Sequence, residues 1–201
     1  MFGETDKIKI RQALQADLTP HRYRHVLGVA AAACRLATRY GYDKDRAEVA
    51  GLLHDAAKQI PLTEMQALAR ASFGNSLASE IMASDNLLHG YAAVTIARER
   101  FGIVDEEVLA ALAHHTTGAL QMGVLEKIIF LADYIEVNRD FEGVQKLRML
   151  AEKDLDTAVL AGYDSTLQHL ITAQQHIYVG TVANRNALLQ RMQERKRRAE
   201  V

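Results

Sequence analysis

Ala47-Glu48-Val49-Ala50-Gly51-Leu52-Leu53-His54-Asp55-Ala56-Ala57-Lys58 is apolar on nearly every side when wound as a helix, so it belongs inside a bundle. Into this run the chain sets His54 and Asp55 side by side. A carboxylate buried without a partner costs several kcal/mol or takes up a proton. Asp55 therefore requires a cation, a network of donors or a metal ion from elsewhere in the chain.

Outward from this segment the helical pattern continues. Apolar residues recur at spacings near three and four, no alternating strand stands out, and only Pro20 and Pro61 interrupt 201 residues rich in helix formers. An all-α fold follows. Capping residues predict a helix from about Thr5 to Asp17, a second opened by Thr19-Pro20 and reaching Tyr40 before Gly41, and a third from about Asp43 to Lys58. A fourth opens at Thr63-Glu64-Met65-Gln66 and stops near Gly74. Further helices are expected over Leu87 to Phe101, Asp105 to Gly118 and Leu125 to about Val137. After a loop from Asn138 to Gly143, more helices run to about Arg195, one of them a long stretch following Asp164.

Lys and Arg number 24 against 25 Asp and Glu, so no overall field draws the chain to a nucleic-acid polymer or a membrane surface. The basic run Arg191 to Arg198 reads as a solvated helix end, where cations suit the terminus. No apolar stretch approaches the roughly 20 residues of a spanning helix. Met1-Phe2-Gly3-Glu4-Thr5-Asp6 carries early acids and lacks a secretory pattern, and the expected compartment is the cytoplasm. The length suits one domain over residues 1–201, with a core at about 19–143 and C-terminal helices at about 144–195 packed on it. The single Cys34 forms no intramolecular disulfide and cannot build a thiolate metal site.

Of eight histidines, His169 and His176 lack a nearby acid and His21 follows Pro20 in the first turn of a helix, so all three read as surface or hydrogen-bonded residues. His25, His54, His89, His114 and His115 remain. A second carboxylate, Asp133, sits in Leu125-Glu126-Lys127-Ile128-Ile129-Phe130-Leu131-Ala132-Asp133-Tyr134-Ile135, again an apolar helix with no basic partner at i±4 on the same face. One shared divalent cation resolves both buried acids. A mixed set of imidazole nitrogen and carboxylate oxygen suits Fe, Mn, Co or Zn rather than Ca. The alternative is a buried His-Asp hydrogen-bond network without metal.

His25, then His54-Asp55, then Asp133, each on a predicted helix, resembles the HD-domain metal-dependent phosphohydrolases. Within that superfamily the chain is similar to the YqeK family of symmetrical diadenosine tetraphosphate hydrolases. Five segments carry the likeness: Arg22 to Val29, Ala50 to Lys58, Leu87-Leu88-His89-Gly90, His115-Thr116-Thr117-Gly118 and Leu131 to Glu136. The resemblance implies an HD helical bundle with a helical C-terminal extension, and His25, His54, Asp55 and Asp133 as metal ligands. Iron is the first expectation, with Mn, Co or Zn as others and one or two ions. It also implies that His89 and His115 face the phosphates or complete a second metal site. His114 falls where the family carries an aromatic residue. Val137 and Glu142 stand where proline is common and shape the nucleotide-side loop.

On this reading, Asp55, His89 and His115 are the expected catalytic residues. Arg22, His25, Asp55, Lys58, His89, His115, Thr116, Asp133 and Arg139 are expected to meet the substrate, Arg through its planar fork for phosphate oxygens. Thr117 offers a further donor, and Tyr23 or Tyr134 a contact to base or ribose. No Gly-rich phosphate loop of the nucleotide-kinase type is present. The expected partner is a dinucleoside polyphosphate with ADP as product, and a homodimer is left open. Competing readings are a phosphohydrolase of other nucleotides or a guanosine alarmone, since a scaffold does not set its substrate, and a metal-dependent nucleotide sensor without turnover.

Overall fold

A computed structural model of the chain describes residues 2–200; Met1 and Val201, at the ends of the expected N-terminal stretch and domain, lie outside it. Among the described residues there are eleven helices and no strand. They are α1 (Glu4–Asp17), α2 (Pro20–Arg39), α3 (Lys44–Leu53), α4 (Leu62–Phe73), α5 (Ser79–Met82), α6 (Asp85–Phe101), α7 (Glu106–His114), α8 (Val124–Ile135), α9 (Val144–Ala151), α10 (Leu155–Thr172) and α11 (Val179–Ala199).

α8 is the centre, because a helix that is apolar all round can be satisfied only by neighbours on every side. Leu125, Ile128, Ile129, Phe130, Leu131 and Ile135 are all buried. α2, α3 and α7 pack around it, α6 backs α7, and α4 covers α6. α10 and α9 close another side of α8, with α11 packed on α10. α1 is clamped to α3 by Ile10 and Leu14 in the core and by buried Lys7, whose Nζ lies 2.6 Å from Asp45 and 2.9 Å from Glu48. No helix of the described residues is long and apolar enough to cross a membrane.

Helix starts follow the capping chemistry. Thr19 accepts from Arg22 N–H ahead of Pro20, Asp43 accepts from Asp45 and Arg46, and Asp105 from Glu107 and Val108. Helix ends depart from expectation at the two most telling places. α3 stops at Leu53 instead of Lys58, and α7 stops at His114 instead of reaching Gly118. In both, an imidazole takes a carbonyl of the last turn: His54 Nδ1 lies 2.7 Å from Gly51 O and His115 Nδ1 2.8 Å from Leu112 O. Those are the carbonyls that a continuing helix would give to Asp55 and Thr116. The expectation that His54 and Asp55 lie within a helix is thereby corrected. They stand just past a helix end, in tight turns closed by Ala56 N–H to Leu53 O and Lys58 N–H to Asp55 O.

Nothing starts at Asp164, which is exposed inside α10 and pairs with Arg185 of α11. The long helix is capped earlier, by Asp154 accepting from Thr157 N–H, and it breaks before Gln174, which takes a left-handed φ of 52°. The short α5 had no legible signal.

Gly51 permits a close crossing. A Cβ there would stand 2.7 Å from Ala30 Cα, so α3 and α2 meet backbone to backbone. Gly90 does the same between α6 and α7, where a Cβ would be 2.6 Å from Leu112 O. Both lie within three residues of a site histidine.

Candidate metal centre and its surroundings

α2 brings His25, the end of α3 brings His54 and Asp55, α6 brings His89, the end of α7 brings His115, and α8 brings Asp133. Five of these six side chains are buried and Asp133 is partly so. They form two triads. Ligand-type atoms of His25, His54 and Asp133 lie within 4.8 Å of one another, and so do those of Asp55, His89 and His115. Asp55 links them: its Oδ2 is 3.6 Å from both His25 Nε2 and His54 Nε2, while its Oδ1 is 3.2 Å from His89 Nε2 and 4.0 Å from His115 Nε2.

The tautomers follow from what stands behind each ring. A carbonyl can only accept, so His54 and His115 carry their protons on Nδ1 and turn Nε2 lone pairs inward. His25 Nδ1 faces the buried Glu136 carboxylate at 3.2 Å, which leaves its Nε2 lone pair 3.1 Å from Asp133 Oδ1. Two lone pairs facing each other need a proton or a metal ion between them. Both His25 Nε2 and His54 Nε2 are buried without a hydrogen-bond partner. His89 Nδ1 has Asp85 O at 3.2 Å and Lys58 Nζ at 3.4 Å, so either tautomer is available to it.

Protonation states agree with a ligand set. Burial pushes the Asp55 carboxyl up, but His54, His89 and His115 outweigh it and hold it well below the usual range. Burial likewise opposes ionisation of Asp133, and the adjacent His25 imidazole with the Arg139 guanidinium wins, keeping it ionised. His115 is pushed down to about 3 by burial and by its neighbours His89 and His54, and burial lowers His54 also. Burial would lower His25, yet the neighbouring Asp133 carboxylate raises it. Ionised carboxylates and neutral imidazoles are the forms that bind metal.

The residues present fit a divalent ion. Donor atoms at about 2.0–2.2 Å from one ion lie at most about 4.4 Å apart, and the separations of 2.8 Å for His89–His115, 3.2 and 4.0 Å from Asp55 to these two, and 3.1 Å for His25–Asp133 fall inside that limit. Nitrogen and oxygen together favour Fe, Mn, Co or Zn over Ca.

Two arginines answer the question raised by the buried acids. Arg22 Nη1 donates to Asp55 Oδ2 at 2.7 Å, and Arg139 pairs with Asp133 while its Nε donates to Asp133 O at 2.7 Å. Neither partner lies at i±4, which is why the helix-face search missed them. With His25 they border an opening of about 320 Å3. Lys58 Nζ reaches Asn86 Oδ1 at 3.1 Å beside His89, and burial lowers its pKa. Thr116 Oγ1 faces His115 Nε2 at 3.1 Å.

Other expected residues turn elsewhere. Thr117 is buried, its hydroxyl donating to Gly118 O and its carbonyl accepting from Asn184. His114 pairs with Glu126 at 2.6 Å, outside the cluster. Tyr134 gives its hydroxyl to Thr166 but keeps its ring on a cavity beside Asp133, whereas Tyr23 packs against the core. Sequence reasoning missed Glu136 and Asn86. Glu136 Oε2 accepts from Asn138 N–H at 2.7 Å and from Asn138 Nδ2 at 2.9 Å, so a third buried acid is held by donors behind His25. Its position three residues after Asp133, at the end of an apolar helix, was the available signal.

An all-helical bundle that gathers imidazoles and carboxylates from separate helices defines the class: a helical metal-site scaffold. The family model of the HD domain matches residues 22–138, over half of the chain, and the chain belongs to that family. It is 44% identical to a symmetrical bis(5'-nucleosyl)-tetraphosphatase of Halalkalibacterium halodurans, covering 90% of this chain and 96% of that one. A symmetrical bis(5'-nucleosyl)-tetraphosphatase of Bacillus subtilis is 37% identical, with 88% and 94% covered. Among solved structures, a predicted HD superfamily hydrolase involved in NAD metabolism from Clostridium acetobutylicum superposes with a TM-score of 0.87 at 40% identity, over 95% of this chain and 99% of that one.

Proposed function

We propose that the chain is a metal-dependent hydrolase that cleaves diadenosine tetraphosphate symmetrically, with one water, to two ADP. The observation that carries this reading is the pair of triads joined through Asp55, with imidazole lone pairs and ionised carboxylates aimed into one space. The similar tetraphosphatases supply the substrate class.

His25, His54, Asp55 and Asp133 would hold one ion, and Asp55, His89 and His115 a second. Iron is the proposed native metal, ahead of Mn, Co or Zn. A divalent ion supplies positive charge against phosphoryl oxygens and makes hydroxide available near neutral pH.

The chain's own residues do the remaining work. Gly51 O, Leu112 O and Glu136 fix the tautomers of His54, His115 and His25, so the cluster is set before substrate arrives. Arg22 and Arg139 flank it as planar cations that fit phosphate oxygens, and Lys58 and Thr116 add donors on the His89 side. His89 and His115, where not occupied as ligands, place N–H or lone pair beside the bridging phosphates. Burial of the centre keeps bulk water from screening these charges.

The test pairs metal analysis of protein purified without chelator with product analysis on the same sample. ADP as the sole nucleotide product from the dinucleotide is expected. ATP plus AMP, or brisk release from another nucleotide with the dinucleotide untouched, refutes the reading. Asp55→Asn with full metal content and full turnover refutes the residue roles.

A further inference from the structure

Asp55 divides the centre into two halves, and a cavity lies beside each. Beside Asp133 and Arg139 lies a space of about 520 Å3 walled by Tyr134, Phe141, Ser165 and His169. On the side of His89 and His115 lies one of about 690 Å3, reached past Thr116 and walled by Leu87, Leu170, Gln175 and Tyr178. Asn86 and Thr166 belong to both linings and form the partition between them. Thr166 is fixed there by its bonds to Gly162 O and to the Tyr134 hydroxyl.

Both volumes fall in the range of about 300–1,000 Å3 typical of small-molecule sites. Each joins an aromatic ring to a few polar groups, the composition that holds a nucleoside. The outer walls, Ser165, Thr166 and His169 on one side and Leu170, Gln175 and Tyr178 on the other, come from α10 and the segment leading into α11. All lie beyond residues 22–138, the part matched by the family model.

Resting on the functional reading above, we infer that the two cavities seat the two ADP halves of one substrate, one on each side of the centre. The C-terminal helices, by walling both, then set the preference for a dinucleotide over a mononucleoside polyphosphate. A cut through the middle of a symmetric molecule leaves both products bound at the instant of cleavage, so two seats are required, and α10 walls two beside the centre.

The experiment uses the full chain loaded with Mn(II). Calorimetric titration with ADP is expected to give two ADP per chain in the wild type and one in each of Leu170→Trp and Ser165→Trp, which plug one cavity each from partly buried positions on α10. In parallel, kcat/KM is measured for diadenosine tetraphosphate and for adenosine 5'-tetraphosphate, which the same cut converts with one water to ADP and pyrophosphate. The ratio of the two is expected to fall about tenfold in each variant. Circular dichroism melts confirm that both variants fold, and a variant that does not is replaced by the Ala substitution at Tyr178 or His169. One ADP per chain in the wild type, or an unchanged ratio in folded variants of both cavities, overturns the inference. If the wild type leaves adenosine tetraphosphate intact, the ADP stoichiometry decides alone. Failure of the wild type to cleave the dinucleotide refutes the functional reading instead.

Discussion

Gly51→Ala adds one methyl group and sets two effects against each other. Inside a helix, alanine is favoured over glycine by about 1 kcal/mol, so propensity alone predicts a more stable protein. The new Cβ, however, would sit 2.7 Å from Ala30 Cα and 3.0 Å from Ala30 N. Carbon atoms prefer about 3.5–4.0 Å, and backbone on both sides cannot rotate away, so α3 must retreat from α2 by about 1 Å. Overpacking of this kind costs about 1–3 kcal/mol, and the rigid neighbour places it in the upper half. The net loss is then about 1–2 kcal/mol, which for a chain of this size lowers Tm by about 2–8 °C. Function suffers more. His54 travels with α3 while His25 stays on α2, and a displacement of about 1 Å can cost on the order of 100-fold in rate. Differential scanning fluorimetry, metal analysis and ADP release on the same preparation check this. A variant with wild-type Tm, metal content and turnover within threefold would show that the crossing is looser than the geometry states.

Glu136→Ala removes the acceptor behind His25 Nδ1 and is expected to weaken metal binding by about 10–100-fold with the fold retained, as for other groups that orient a ligand. Glu136→Gln, which keeps an acceptor for that N–H, should recover part of the loss; equal metal affinity in all three proteins refutes the role. For the metal-free protein, acid should destabilise from about pH 6.5 downward. Unfolded histidine takes up a proton near 6.5 while folded His115 stays neutral to about 3, so the unfolded state binds more protons across that window and stability falls with pH. The raised pKa of His25 opposes this in part. Urea midpoints at a series of pH values in chelator, with His115→Ala flattening the profile, are the check, and a midpoint that rises on acidification contradicts it.

Much of this molecule was legible because burying an acid is expensive. Asp55 and Asp133 stood out in apolar runs and argued for a shared ion, while the histidines that join them were assigned through the family resemblance. Helix starts were readable from Thr19, Asp43 and Asp105 because caps act within three residues. The ends of α3 and α7 were not, because they depend on an imidazole reaching back to a carbonyl, and composition cannot tell that from a helix running on. Arg22 with Asp55 and Arg139 with Asp133 escaped notice for a related reason, since they meet through tertiary packing or a loop and not along a helix face. The two cavities depend on where α10 breaks, and only the fold supplies that.

The early stops of α3 and α7 have an electrical consequence. Each leaves the negative pole of a helix dipole, worth roughly half an elementary charge, at His54 and His115. Two such poles stand with three acidic side chains, and the guanidinium groups at hand are already engaged with two of those acids. Before any ion arrives, the potential there is tuned to attract cations, and a bare polyphosphate would be turned away. A nucleotide carrying its own divalent counterion would be admitted where the free anion is not, and order of addition in a binding experiment should therefore matter.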